Sequence, residues 1–340
     1  MKKPLLIGLW IGFILLLVEG GSWVVTKLLR PVELPSFSWR STGRLLRDYH
    51  PGYGTCQEPN SFYVHRKNCF NVTYAMNGLG FRDKVRTSKT DCSRVLVLGD
   101  SMLFGMGLSI EDRLSDRLEK LTGIEHLNFA ISGTGTTQHW LVYKSVRDQF
   151  KHEAVLVGFL PCKMLEDDPN VGPRLYPGAY RPYLDQTGEP QMPAISLQTN
   201  DLPLFQRMLK NFSHTYNVAA FLYYGRRASS CPRPDAYHYT EAQKQRTIYL
   251  MRQIKALAGV RSLRLIIIPS REDVAEYART GKSPLVAELE RDLPDISVTD
   301  LMPVFAASKE HLYFDCDPHW NARANQIAAS LLADKLDTNK

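Results

Sequence analysis

The chain is 340 residues long, with 44% hydrophobic and 23% charged residues and a formal net charge of +7. That length allows one large domain or two small ones with a sizeable core, in the composition range of a globular protein. The positive charge is spread along the sequence without a block of like charges, so no nucleic-acid-binding arm is expected and the surplus reads as a solvated basic face.

Lys2 and Lys3 precede an uncharged apolar stretch, Leu5 to Val18, which resumes after Glu19 with Trp23, Val24 and Val25. From Pro4 to Thr26 it is long enough to cross a bilayer as a helix, with Glu19 as its one acidic residue. A cleaved signal peptide begins the same way, but no small-x-small site follows at the usual place, so residues 1–30 are expected to form an uncleaved single-pass anchor. Lys2 and Lys3 argue for an N-terminus on the inside, with Lys27, Arg30 and Arg40 reducing the contrast. The remainder is then extracytoplasmic, in a periplasm or at a cell surface. Residues 31–91 are rich in Pro, Gly, Asn and aromatics with little periodicity, which reads as an irregular lead-in packed on a main domain at 92–340. Asn71-Val72-Thr73 is a glycosylation sequon in a host that glycosylates.

The main domain alternates. Arg94 to Leu98 is a compact β-branched run, and Glu111 to Leu121 carries apolar residues at helical spacing. A strand at His126 to Phe129, a helix at Thr137 to Phe150 and a strand at Ala154 to Phe159 follow. Amphipathic helices are expected at Leu202 to Tyr216 and Thr240 to Leu257, and a buried strand at Leu263 to Ile268. A last strand at Ile296 to Leu301 precedes a helix at Ala322 to Leu336. Such alternation predicts a mainly parallel sheet in a three-layer α/β/α sandwich, with active groups at the carboxyl ends of the strands. Two stretches rich in proline and turn residues, 166–200 and 225–239, read as insertions above the sheet, either substrate-contacting lids or surface decoration.

The six cysteines, at 56, 69, 92, 162, 231 and 316, include no C-x-x-C pair, so no zinc site is expected and disulfides fit an extracytoplasmic chain. Cys56 and Cys69, separated by a short loop, are the easiest pair to imagine. The histidines other than His319 lack ligand-like spacing, and no metal or cofactor is expected.

Asp100 and Ser101 follow directly on the first buried strand, where the turn exposes the serine and can aim backbone N–H groups at an oxyanion. A serine needs a base. The best-placed histidine is His319, in Tyr313-Phe314-Asp315-Cys316-Asp317-Pro318-His319-Trp320-Asn321, with Asp317 two positions before it to orient the imidazole and Asp315 as a competitor. Asp100 is expected to hold the nucleophile turn by hydrogen bonds. A histidine before a helix can also simply cap or pack, and a lone Gly-Asp-Ser is common; the combination favours chemistry.

These blocks resemble the SGNH/GDSL hydrolase superfamily. Gly99-Asp100-Ser101 is similar to its first block, and Leu127 to Thr136 to its second, which implies Ser101 as nucleophile and the N–H groups of Ser101 and Gly133 as oxyanion donors. Asp317-Pro318-His319-Trp320 is similar to the final block, in the Asp-x-His-Trp form found in proteins related to bacterial exopolysaccharide O-acetylation. Met76 to Arg82 and Ile268 to Arg271 are similar to segments of membrane-anchored members of that group. The resemblance implies a flavodoxin-like SGNH fold and a serine esterase or O-acyltransferase acting on an acylated, in particular acetylated, carbohydrate, with a membrane acyltransferase or export complex as partner. The third block departs from the pattern: where the family carries an asparagine donor, this chain reads Leu160-Pro161-Cys162-Lys163-Met164. Lys163 is then either a replacement positive charge or a solvated loop lysine, and Cys162 either a disulfide partner of Cys316 or a buried thiol. A catalytically weak or inactive domain that binds glycan or serves as a complex subunit is the alternative.

Overall fold

The computed structural model describes residues 2–25, 37–40, 48–67, 69–88, 92–175, 180–193 and 235–337, with scattered positions between 205 and 219. Much of the helix expected at 202–216, and residues 225–234 of the second insertion, lie outside them.

Helix α1 (Lys2–Val24) is a run of strong apolar helix formers whose only proline sits in the first turn, where no backbone hydrogen bond is lost. It is exposed along its length, and Lys3–Val24, with a mean hydropathy of 2.0, is long and apolar enough to cross a membrane. The Glu19 carboxylate accepts hydrogen bonds from Ser213 Oγ (2.9 Å) and the Thr215 N–H (3.2 Å).

Within the stretch expected to be irregular lie five short strands, β1 (Phe37–Arg40), β2 (Asp48–His50), β3 (Gly54–Cys56), β4 (Phe62–Arg66) and β5 (Asn71–Ala75), joined by turns and irregular segments. They form an antiparallel sheet in the order β1-β4-β5 and a separate β2-β3 pair. Strands of three to five residues show too few repeats for alternation to register in the sequence.

The main domain then runs β6 (Arg94–Leu98), α2 (Ser101–Phe104), α3 (Leu114–Thr122), β7 (Glu125–Asn128), α4 (Thr136–Val146), β8 (Ala154–Phe159) and α5 (Lys163–Glu166). In the first insertion lie α6 (Gly172–Leu175) and the hairpin β9 (Tyr183–Leu184) and β10 (Pro190–Gln191). After it come α7 (Glu241–Ala258), β11 (Ser262–Ile267), α8 (Arg271–Thr280), α9 (Pro284–Asp292), β12 (Ser297–Asp300), α10 (Met302–Ala307) and α11 (Ala322–Asp337). The helix expected from Glu111 begins only at Leu114, because residues before it form turns, and the one expected to reach Phe150 stops at Val146.

Five strands pair in parallel in the order β12-β11-β8-β6-β7. Period-two alternation sends Leu96, Leu98, Val155, Val157, Leu265 and Ile267 to one face, against α4, α7 and α9. Val95, Val97, Leu156 and Ile266 face the other way, against α3, α10 and α11. The chain is thus the expected three-layer α/β/α sandwich. In chain order the strands are arranged 2-1-3-4-5, the flavodoxin-like doubly wound order, whose direction reverses between β6 and β8.

Candidate active site

The winding reverses between β6 and β8, the point at which doubly wound sheets place their ligands beyond the carboxyl ends of the strands, and these two strands end at the first and third sequence blocks. After β6, Asp100 caps α2 by accepting the Met102 N–H at 2.9 Å, and Ser101 follows, half-buried, as the first residue of that short helix. At the other end of α2 the buried Arg82 donates to the carbonyls of Phe104 (2.9 Å), Gly105 (2.7 Å) and Leu108 (2.6 Å). Its guanidinium lies 4.4 Å from the centre of the Tyr74 ring. The segment Met76 to Arg82 therefore braces the serine turn from below.

His319 reaches the same point from the far end of the chain. Tyr313 and Trp320 pair across a tight loop, and Phe314 N–H donates to His319 O at 3.0 Å. Tyr313 Oη (3.0 Å) and Trp320 Nε1 (3.3 Å) both donate to the carbonyl of Pro269, so Ile268 to Arg271 supports this loop. His319 Nε2 stands 2.7 Å from Ser101 Oγ. On its other side Nδ1 contacts Asp317 Oδ1, which also accepts the His319 N–H at 3.0 Å. With the proton on Nδ1, this leaves Nε2 to accept from the serine. Burial would raise the Asp317 carboxyl, but the His319 imidazole and then the Lys67 ammonium hold it well below the usual carboxylate range. Asp317 is buried, whereas the competitor Asp315 is exposed, and the contact with His319 is made by Asp317.

The second block crosses the end of β6. Ile131 N–H donates to Gly99 O at 3.0 Å and Thr134 Oγ1 lies 3.5 Å from the same oxygen, which brings the loop carrying Gly133 beside the serine turn. Gly133 has φ +82°, a conformation side chains other than glycine's rarely adopt. At Gly135 a Cβ would overlap the Asp167 carboxylate, whose Oδ2 accepts the Thr136 N–H at 2.6 Å.

The third block holds a buried ionic chain. Lys163 is 5% exposed, and its Nζ lies 2.8 Å from Glu166 Oε2 and 3.2 Å from Asp100 Oδ2. Arg181 Nη1 donates to Glu166 Oε2 (2.9 Å) and to Gly133 O (3.1 Å), and its Nη2 approaches Asp167 Oδ1 at 3.3 Å. Burial would raise Asp100, yet Lys163 and the Met102 N–H bring it below its ordinary value. Burial prevails at Asp167, which is raised despite Arg181. Lys163 is accordingly no solvated loop lysine, since its charge sits between two carboxylates.

The cysteine expectations need correcting. Cys69 bonds to Cys316, with Cα atoms 5.8 Å apart, and not to Cys56; β4 and β5 carry their connecting turn, and Cys69 with it, away from the β3 segment and onto the histidine loop. Cys162, buried at the start of α5, takes part in a different disulfide and so is neither bonded to Cys316 nor a thiol. Lys67, Glu166, Asp167 and Arg181 were not indicated by any sequence motif; their roles arise from contacts between distant segments. Among the described residues no group of three or more His, Cys, Asp or Glu side chains is arranged to hold a metal ion.

No protein-family model matches the chain, and no curated protein matches it. Among solved structures it is similar to the psychrotrophic esterase EstA from a Pseudoalteromonas species, at 14% identity over 73% of this chain and 100% of that one, with a TM-score of 0.39. It is also similar to a carbohydrate esterase family 2 enzyme with a carbohydrate-binding domain from Corynascus thermopiles (11%, 84% and 74%, TM-score 0.41). A third is a GDSL-like lipase from Bacteroides thetaiotaomicron (11%, 73% and 89%, TM-score 0.38). At such low values the chemistry of the site has to be read from its own residues.

Proposed function

We propose that the chain is a membrane-anchored, extracytoplasmic serine enzyme of the SGNH/GDSL type that acts on esters through Ser101, His319 and Asp317. The observation that carries this reading is the continuous contact from Ser101 Oγ through His319 Nε2 and Nδ1 to Asp317 Oδ1. His319 takes the hydroxyl proton as Ser101 Oγ attacks the acyl carbon, and Asp317 stabilises the imidazolium. The N–H groups of Ser101 and Gly133 receive the oxyanion. Collapse of the tetrahedral species breaks the ester bond, and His319 returns the proton to the leaving alcohol. Water as the second acceptor makes an esterase, and a sugar hydroxyl makes an O-acyltransferase. The resemblance of the final block supports an acetylated carbohydrate as the substrate. Support for an oxidising compartment comes from the Cys69–Cys316 disulfide, and support for the anchor from α1.

One observation favours a second reading, a weak or inactive glycan-binding or complex subunit: Lys163 stands in the third-block region and its ammonium is engaged by Asp100 and Glu166. A fluorophosphonate probe separates the two. Labelling of the wild-type protein that is lost in Ser101→Ala, together with acetate release from an acetylated glycan, is the expected result. An unlabelled wild type, under conditions that label an authentic esterase, sinks the catalytic reading.

A further inference from the structure

The acid of the triad is held from two sides. Asp317 Oδ1 serves the His319 ring and N–H, while Oδ2 lies 2.5 Å from Lys67 Nζ, at the tip of the β4–β5 hairpin. The Lys67 N–H closes the hairpin onto Phe70 O at 2.9 Å, the Cys69–Cys316 disulfide ties the tip to the histidine loop, and the Phe70 ring packs 5.1 Å from Phe314. An ion pair, a covalent bond and a ring contact thus join the lead-in to the loop that carries Asp317 and His319. The Lys67 and Asp317 side chains are only 16% and 4% exposed, so water screens their pairing weakly.

We propose that Lys67 is a positioning residue of the site: it orients the Asp317 carboxylate and offsets its charge, and thereby sets the pH at which His319 becomes a base. The inference rests on the Ser101–His319–Asp317 reading. A carboxylate beside an imidazole stabilises the imidazolium, and a cation on the carboxylate's far oxygen reduces that stabilisation. Among the described residues, His65 of the hairpin and Asp100 of the serine turn, with Lys163 behind it, act on His319 besides Asp317, while Lys67 and Tyr74 of the hairpin act on Asp317. His65, buried and bonded to Tyr74 Oη at 2.8 Å, is pulled down to about 4 by burial and then by Lys67, so it stays neutral where His319 works. Lys67 therefore supplies positive charge to Asp317 in that range where His65 does not.

The test is the rate of fluorophosphonate labelling of the full-length protein in detergent micelles as a function of pH, from about pH 5 to about pH 9. Wild type is compared with Lys67→Met, Lys67→Gln, Lys67→Arg and Ser101→Ala. Removing the cation stabilises the imidazolium, so the acid limb in K67M and K67Q is expected to move upward by on the order of one pH unit. K67R is expected to return it to the wild-type value. A reduced plateau with an unmoved midpoint in both neutral variants, which a merely structural role would produce, overturns the inference, as does a K67R profile shifted like that of K67M. Absence of labelling in the wild type overturns the triad reading and this inference together, whereas a labelled wild type with unmoved variants overturns this inference alone.

Discussion

Asp317→Asn tests the proposed triad most directly, because the substitution keeps the shape of a buried side chain while changing what it can donate and accept. Asp317 accepts from His319 through Oδ1 and from Lys67 through Oδ2. An amide has one acceptor oxygen and one donor nitrogen. If the oxygen stays toward His319, the amide N–H groups confront the Lys67 ammonium. If it turns toward Lys67, an N–H donates to Nδ1 and forces the ring proton onto Nε2, which then cannot accept from Ser101 Oγ. Either arrangement costs function, and the corresponding change in serine proteases lowers turnover by about 10⁴, or roughly 5 kcal/mol of transition-state stabilisation. Initial rates of p-nitrophenyl acetate hydrolysis read the effect, and an activity within about tenfold of wild type, one decade or roughly 1.4 kcal/mol, would refute the role given to Asp317. The same variant has a stability signature. The folded-state pKa of Asp317 lies below its unfolded value of about 3.9, so its contribution is fully present above that value and is lost as pH falls through the folded one. Acid unfolding of Asp317→Asn should lack this component, giving a flatter decline below about pH 4.

Lys163→Met leaves Asp100 and Glu166 without their shared ammonium, and breaking a buried pair costs about 3–5 kcal/mol, which thermal unfolding should register as a Tm fall of roughly 10 °C. A change within about 0.5 kcal/mol, the usual surface value, would mean that the lysine is solvated after all. Replacing Cys69 and Cys316 by serine opens a link between positions 247 apart in sequence, and urea unfolding should show a loss of about 2–5 kcal/mol. Activity should fall with it, and an unchanged rate would argue that the hairpin does not hold the histidine loop. His139 is buried, and burial pulls it down to about 4, so the unfolded chain takes up its proton first and stability declines as pH drops from about 6.5 toward about 4. His139→Gln should remove up to about 1.4 kcal/mol per pH unit of that slope in urea midpoints measured across the interval, and an unaltered slope would contradict the assignment.

The strands most easily seen in the sequence are those whose side chains are buried on both faces. Arg94 to Leu98 and Ala154 to Phe159 are near-continuous apolar runs, and the structure places them as β6 and β8 with no shift in their ends. The helix α8 is hard to read in the sequence because half of its residues are charged: only Val274 and Tyr277 are large and apolar, both are half-buried, and Asp273 is the one fully buried residue. α9 is short and begins with proline, which reads equally well as a turn. In the candidate site, Ser101, Asp317 and His319 are legible because each lies in a local block whose residue types suit the proposed chemistry. Lys67 is not, since its partner stands 250 positions away and a single lysine in a polar segment has no pattern. The disulfide is illegible for a related reason: proximity in sequence favours Cys56, whereas the hairpin turn brings Cys69 to Cys316 near the far end of the chain.

The lysine in the third block changes what the proposed oxyanion hole can consist of. An asparagine there would offer a neutral side-chain donor, and its loss alone typically lowers turnover by about 10²–10³. A lysine could supply more field, but a bare ammonium in so buried a place would lose its proton or unfold the loop. Here Asp100 and Glu166 flank it, and those carboxylates commit it to the scaffold. Glu166 hands the interaction on to Arg181, and Arg181 to the carbonyl of Gly133 and to Asp167, which in turn anchors the N-terminus of α4 through the Thr136 N–H. The cation therefore acts on the proposed chemistry at one remove, by tying the serine turn to the glycine loop so that two backbone donors keep their relative placement. On this reading the site trades a third donor for rigidity between the other two, and disruption of the Lys163–Glu166–Arg181 chain should lower turnover by loosening the Gly133 loop even though none of these side chains carries the nucleophile or the base.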